Sequence, residues 1–295
     1  MAVTLASTGY VGLRTEGSFG SGGTVDTFQP IISESLIHQK DYFYPQVIQN
    51  SRQQQGGRLM RELVTGGISF YVTPNNTEKW WQAALGNASS PYSAKGQATI
   101  GSVVVHVDRG VGDLYTSGDK ISSMDFSSNS SEGLVCNVAI EGKGGNDASI
   151  GAPSFNSGDD PYMHSEATFE IGGAQDDEIT AFTLSLNNNL ITDLWTGASL
   201  TRREIPATSL LVTGTFTRLF TDTTARALFL ANTQTSFKVT FARNSNTFIL
   251  ECAKINMEQN DAPLSGFSAI VNETIPFTAQ VDDSASDDAI KITVT

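Results

Sequence analysis

A chain of 295 residues exceeds one average domain and suits two of about 150 residues, each large enough for its own core. Apolar residues make up 39% and charged residues only 17%, with abundant Ser, Thr, Asn and Gly, which excludes a coiled coil or a disordered chain and fits a β-rich protein with many turns. The net charge of -13 is uneven: residues 1–147 contribute -3 and residues 148–295 contribute -10, a balance that repels phosphate backbones and disfavours tight nucleic-acid binding.

The first 25 residues contain Gly17-Ser18-Phe19-Gly20-Ser21-Gly22-Gly23 and read as a flexible arm. They lack a basic start and a continuous apolar stretch, so no signal peptide is expected, and no window approaches the ~18 apolar residues of a membrane span. Alternation at Ile32, Glu34, Leu36 and His38 predicts a strand, and Val64, Ile68, Phe70 and Val72 predict another. Between them lie Tyr42-Phe43-Tyr44-Pro45 and a polar segment from Gln49 to Arg58, which together suggest a long hairpin or flap reaching beyond its own domain. Pro74 to Glu78 should open a short helix through Trp80, Trp81, Ala84 and Leu85 that Gly86 ends. Strands are expected over Val103–Val107 and Leu134–Ile140, followed by a Gly-rich join from Gly142 to Gly151.

The second half repeats this plan. Ala167–Ile171 and Phe182, Leu184 and Leu186 read as strands, and Asn187–Asn189 with Thr201–Pro206 mark a second flap, expected to be the shorter one. Leu210–Phe220 is a strand, Asp222-Thr223-Thr224 caps a helix through Ala227, Leu228 and Phe229, and strands follow at Ser236–Phe241, Thr247–Ala253, Phe277–Val281 and Ile290–Val294. Leu63-Val64-Thr65-Gly66 returns as Leu211-Val212-Thr213-Gly214, 148 positions on, and Leu36, Ile68, Trp80 and Trp81 fall on Leu184, Phe216, Leu228 and Phe229 at the same offset. The expected fold is mainly β: an arm (1–25) and two tandem sandwich or barrel domains (26–147 and 148–295), each with one short flanking helix.

Catalytic chemistry has little support. His38, His106 and His164 are the only histidines, none at metal-ligand spacing, and neither a nucleophile elbow nor a phosphate loop occurs. Asp159-Asp160, Asp176-Asp177-Glu178 and the acidic stretch 282–288 offer oxygen ligands without a calcium-loop spacing and read as solvated turns. Cys136 and Cys252 lie in apolar runs and read as buried free thiols. Trp80-Trp81 read as core or subunit-interface anchors, because the repeat places apolar Leu228 and Phe229 there; a sugar-stacking platform is the alternative. Neither metal, cofactor nor enzymatic activity is expected. A doubled β domain with exposed edges and flaps is suited to self-assembly, since head-to-tail contacts close into rings and rings stack.

The order of elements resembles the tail tube proteins of long-tailed bacteriophages, in particular those with a duplicated tube domain. The resemblance rests on the Thr15–Gly20 arm, Glu34-Ser35-Leu36 leading to Tyr44-Pro45, Val64-Thr65-Gly66, the Trp80–Gly86 helix, Thr183–Asn188, Val212-Thr213-Gly214 and Pro276–Ala279. It implies two tail-tube-like β-sandwich domains whose inner sheets join into a continuous barrel, with three chains supplying a ring of pseudo-six-fold symmetry. It implies a virion tail component, assembled in the host cytoplasm and without membrane association, whose partners are itself, the tape-measure and the tail-terminator or tip proteins. DNA would cross the lumen during ejection without specific binding. The flaps Gln39–Arg61 and Asn189–Pro206 would make ring and stacking contacts; Tyr44, Arg52, Arg58, Arg61, Arg202 and Arg203 are the candidates, with basic tips meeting an acidic face of the next ring. A distal tail or baseplate ring component and a two-domain carbohydrate-binding adhesin are the alternative readings.

Overall fold

The computed structural model describes all residues except 1–5, 49–51, 76, 95, 149, 156–158, 265–269 and 283–287. In chain order the first half holds β1 (Tyr10–Thr15), β2 (Thr27–Gln29), β3 (Ser33–Glu34), β4 (Ile37–Phe43), β5 (Arg58–Tyr71), α1 (Glu78–Leu85), β6 (Tyr92–Ser93), β7 (Val103–Asp108), β8 (Leu114–Asn129), β9 (Val135–Gly142) and β10 (Gly144–Asp147). The second holds β11 (Ala167–Ile171), β12 (Ala174–Gln175), β13 (Ile179–Asn187), β14 (Leu211–Leu219), α2 (Thr224–Leu230), β15 (Thr235–Arg243), β16 (Asn246–Met257), β17 (Asn272–Gln280) and β18 (Lys291–Val294). The protein is mainly β, and its strands form a single antiparallel sheet.

Strand pairing repeats between the halves. The first runs β4–β5–β9–β8–β7–β1–β2 and the second β13–β14–β17–β16–β15–β11–β12, each step hydrogen-bonded. Register repeats too. Ser33 faces Ser69 and Ile37 faces Thr65; 148 positions on, Ala181 faces Thr217 and Ser185 faces Thr213. β3 and β4 together thus stand for β13. Period-2 alternation sends every second side chain inward, and a one-residue slip would turn Ile68, Phe70 and Phe216 to the wrong face. Gly66 of β5 leaves room for Ser35 and Leu36, which link β3 to β4: its φ is +144°, and a Cβ there would stand 2.3 Å from the carbonyl oxygen of Ser35.

One core serves both halves. Trp81 has no exposed surface and packs against Phe70 and Phe126 of the first half and Phe248 of the second, with ring centroids 6.3, 5.4 and 5.5 Å away. Trp80 stacks on Phe70. The helices differ in this respect. α1 buries Trp80, Trp81, Ala83, Ala84 and Leu85 and ends at Gly86 in the left-handed region, whereas α2 buries only Ala225. Leu228 and Phe229 are half-buried and outside the core. The equivalence to the tryptophans holds in chain position and not in packing.

The expectation of a flexible arm is corrected. Val11 and Leu13 in β1 are fully buried, and β1 bonds to β2 and β7. The Gly-rich stretch after it wraps around one carboxylate: Glu16 accepts from the backbone N–H groups of Gly20, Gly22 and Gly118 at 2.8–3.1 Å. Phe19 lies between Lys120 and Lys143, each ammonium 5.4–5.6 Å from its ring centre. The Gly-rich join between the halves also carries structure, since β10 pairs with β8.

Candidate assembly surfaces

The halves meet along one ladder. β13 lies on β8 from Ala181 opposite Asn129 to Asn187 opposite Ser123. Phe182, Leu184 and Leu186 face Ser128, Phe126 and Met124 on the core side. Asn188 locks the end of the seam, its side-chain amide donating to the carbonyls of Ala84 and Ile121. β8 can serve two neighbours because a register shift between Ile121 and Ser123 bends it. Its first part pairs with β7 and β10, its second with β9 and β13.

The corresponding positions at the chain's outer margins have no such neighbour. Among the described residues, β3 and β4 pair only with β5, although β13, their counterpart, has strands on both sides. In the second half the chain after β16 stays beside β17 through the Glu258 N–H to the Pro276 carbonyl and a bridge between Asp261 and Thr274. Segment 258–264 occupies the place that the second part of β8 holds in the first half, and no strand of the described chain pairs with its other side.

The sheet face opposite the core is dominated by hydroxyls and amides. It carries Ser33, Ser35, Thr65 and Ser69 near one margin, Ser127, Asn137, Thr183 and Ser185 in the middle, and Thr213, Thr215, Thr274 and Thr278 beyond, all half-buried or exposed. On these strands its carboxylates are Asp125, Glu258, Glu141, held by Arg202, and Asp41, held by Arg61. The acidic clusters lie elsewhere and are engaged. Asp159 accepts from Thr73 and Asn75, Asp160 pairs with Arg243, and Asp176, Asp222 and Glu273 surround the buried Arg218 guanidinium. Hydrogen bonds from Arg218 and from Thr224 hold the Asp222 carboxyl well below the usual range. Of the stretch 282–288, residues 283–287 lie outside the described chain.

The two flaps differ, and not as expected. Between the equivalent ladder pairs Gln39–Leu63 and Asn187–Leu211 they are equally long, 40–62 and 188–210; in the first, Tyr42 and Phe43 still pair with Leu59 and Arg58, which leaves 44–57 beyond the ladder, whereas the second has a single bridge between Leu190 and Ala207. The second flap folds over the first half. Its Leu200 carbonyl accepts from the Glu62 N–H, Trp195 sits between the guanidinium groups of Arg61 and Arg202 at 5.5 and 5.9 Å, and Glu204 pairs with Lys120. Arg202 is only 5% exposed and donates to Glu141 and to the Gly142 carbonyl.

The candidate residues therefore separate. Arg202 is spent inside the chain and is no basic tip, and Arg61, on Asp41 and Trp195, is largely committed too. Arg52, Arg58 and Arg203 are exposed. Tyr44 is half-exposed, lies 6.4 Å from the Tyr42 ring and covers Gly57, where a Cβ would stand 2.5 Å from it. Trp195, Glu141 and Glu204 escaped the sequence reading because nothing local marks a flap residue as the partner of a strand end more than 50 positions away.

Trp80 and Trp81 have no exposed surface, which overturns the sugar-stacking alternative built on them. His38 contacts Glu62, His106 contacts the Ala148 carbonyl and the Tyr115 edge, and His164 bridges Ser128 and the Ile179 carbonyl. Burial pushes the Cys252 thiol up to about 12 and the Cys136 thiol well above its ordinary value, so both are inert, unpaired thiols. Among the described residues no group of three or more His, Cys, Asp or Glu side chains is placed to hold a metal ion, and no helix is long and apolar enough to cross a membrane. No curated protein matches the chain. The family model described as phage tail tube protein matches residues 6–279, nearly the whole length. By that match the chain belongs to the phage tail tube protein family.

Proposed function

We propose that the chain is the repeating subunit of a tail tube, a domain duplicated as 26–147 and 148–295, in which three copies close head to tail into a ring of pseudo-six-fold symmetry and rings stack. The observation that carries this reading is the seam within the chain. β13 completes β8 between the halves, while its counterpart β3–β4 and the counterpart of β8, segment 258–264, each lack that neighbour. Pairing β3–β4 of one copy with segment 258–264 of the next repeats the internal seam and gives both of these edges a partner once the ring closes.

In that ring the hydroxyl- and amide-rich face lines the lumen. It offers DNA few cations to bind and few anions to repel it, which suits passage without adhesion. The exposed Arg203 and the ring faces would meet the next ring, and the tube ends would meet tape-measure and terminator or tip proteins. This places the protein in the virion tail after assembly in the host cytoplasm.

Negative-stain microscopy with native mass measurement tests the reading. Three-chain rings and stacked tubes are the expected result. A strictly monomeric protein at high concentration, with no tube even when seeded by tail-initiation partners, would refute it.

A further inference from the structure

The first flap presents an apolar surface that nothing among the described residues covers. Tyr42, Phe43, Tyr44, Val47 and Met60 are about half exposed, and Ile48 is fully exposed. Its counterpart, the second flap, is anchored: Ile191, Leu194 and Leu200 stay 39–43% exposed, but it rests on the strand ends of the neighbouring half, at Arg61–Glu62 of β5, Glu141–Gly142 of β9 and Lys120 of β8. Val47 stands 148 positions before Trp195, the residue that anchors the second flap.

The same strand ends exist in the second half. By the shared pairing, the ends of β14, β17 and β16 bring together Leu211, Thr278 to Val281, and Lys254 to Asn256. Leu211 and Val281 are 47% and 54% exposed there, and Glu258 and Asp282 stand beside them on Thr278 and Lys254. Residues 42–58 carry Arg52 and Arg58 and no acidic residue, whereas 148–295 carry -10. Apolar surface and charge are both complementary.

We propose that the Tyr42–Ile48 hairpin of one copy seats on Leu211 and Val281 of the neighbouring copy in the same ring, as the second flap seats on the first half within the chain. The occupant is a second copy of this chain, and the contact is lateral; it is not the stacking contact with the next ring. The proposal rests on the ring reading above.

Disulfide trapping separates the two. Cys136 and Cys252 are buried, so each single variant presents one reactive thiol. A mixture of Val47→Cys and Leu211→Cys proteins, assembled and then oxidised, should give a linked dimer, and neither variant alone should. Ile37→Cys mixed with Asp261→Cys, the positions that correspond to Ser185 and Asp125 in the internal seam, reports the ring seam independently. If the seam pair links and the flap pair does not, the flap proposal falls and the ring stands. A flap link found in stacked tubes but absent from single rings puts the hairpin on the next ring and also overturns it. If neither pair links and no rings are seen, the ring reading fails and takes the flap contact with it.

Discussion

Replacing Trp81 tests whether the two halves are one cooperative unit, which a rigid ring subunit requires. The side chain is fully buried and touches Phe70, Phe126 and Phe248, so Trp81→Ala removes a large ring from the junction of both halves. Truncations of this kind cost about 3–5 kcal/mol, a large part of a typical stability of roughly 5–15 kcal/mol. The indole Nε1 is buried with no acceptor, so no hydrogen bond is lost with it. Trp81→Phe keeps a ring in the stack and removes an orphan donor whose desolvation costs about 1–3 kcal/mol, which offsets much of the smaller ring's lost packing. Urea unfolding followed by far-UV circular dichroism and by fluorescence should give one transition for each protein. Its midpoint should fall strongly for Trp81→Ala and little for Trp81→Phe. Two separate transitions, with only the first shifted by Trp81→Ala, would refute the shared core. A Trp81→Phe loss as large as that of Trp81→Ala would refute the account of the unpaired N–H.

Arg202→Met should loosen the second flap, leaving Glu141 without its guanidinium and Trp195 with one cation instead of two. Because Glu141 is partly exposed, the expected loss is about 2 kcal/mol, with faster proteolytic cutting between residues 191 and 206; unchanged cutting would count against the flap contact. Asp119 gives a pH dependence. Burial pushes its carboxyl up to about 8 against hydrogen bonding from Thr116, while the unfolded group titrates near the ordinary value of ~3.9. Between those limits the folded protein holds the extra proton, so stability falls as pH rises from about 4 to about 8. Asp119→Asn should flatten that slope, raising Tm more at pH 8.5 than at pH 5; an equal rise at both would show that Asp119 is not its source.

Much of the fold was legible because its signals are local. Alternation at Val64, Ile68 and Phe70 announces a strand whose inward face is fixed by period two, and Gly86 announces where α1 stops because it supplies a left-handed residue without strain. The Leu-Val-Thr-Gly repeat marked β5 and β14, and the ladders keep its offset of 148 on both partner strands. The arm was misread because glycines look flexible by composition, whereas the N–H groups of Gly20, Gly22 and Gly118 converge on Glu16 once β7 joins β1 to β8. The second flap was expected to be shorter because its polar ends at Asn187–Asn189 and Thr201–Pro206 hide that the ladders close at the same offset, Gln39 on Leu63 and Asn187 on Leu211.

The sequence by itself determined the strand-rich class, the internal repeat and the family, since each depends on residue order over short spans or on one fixed offset. Only the tertiary structure decided which arginines are already spent, that both tryptophans are core, and which edges lack a neighbour. Those depend on strands far apart in the chain coming together: β8 reaching β13 closes one seam within the chain, and the same chemistry at β3–β4 and at 258–264 has no strand of its own chain to meet.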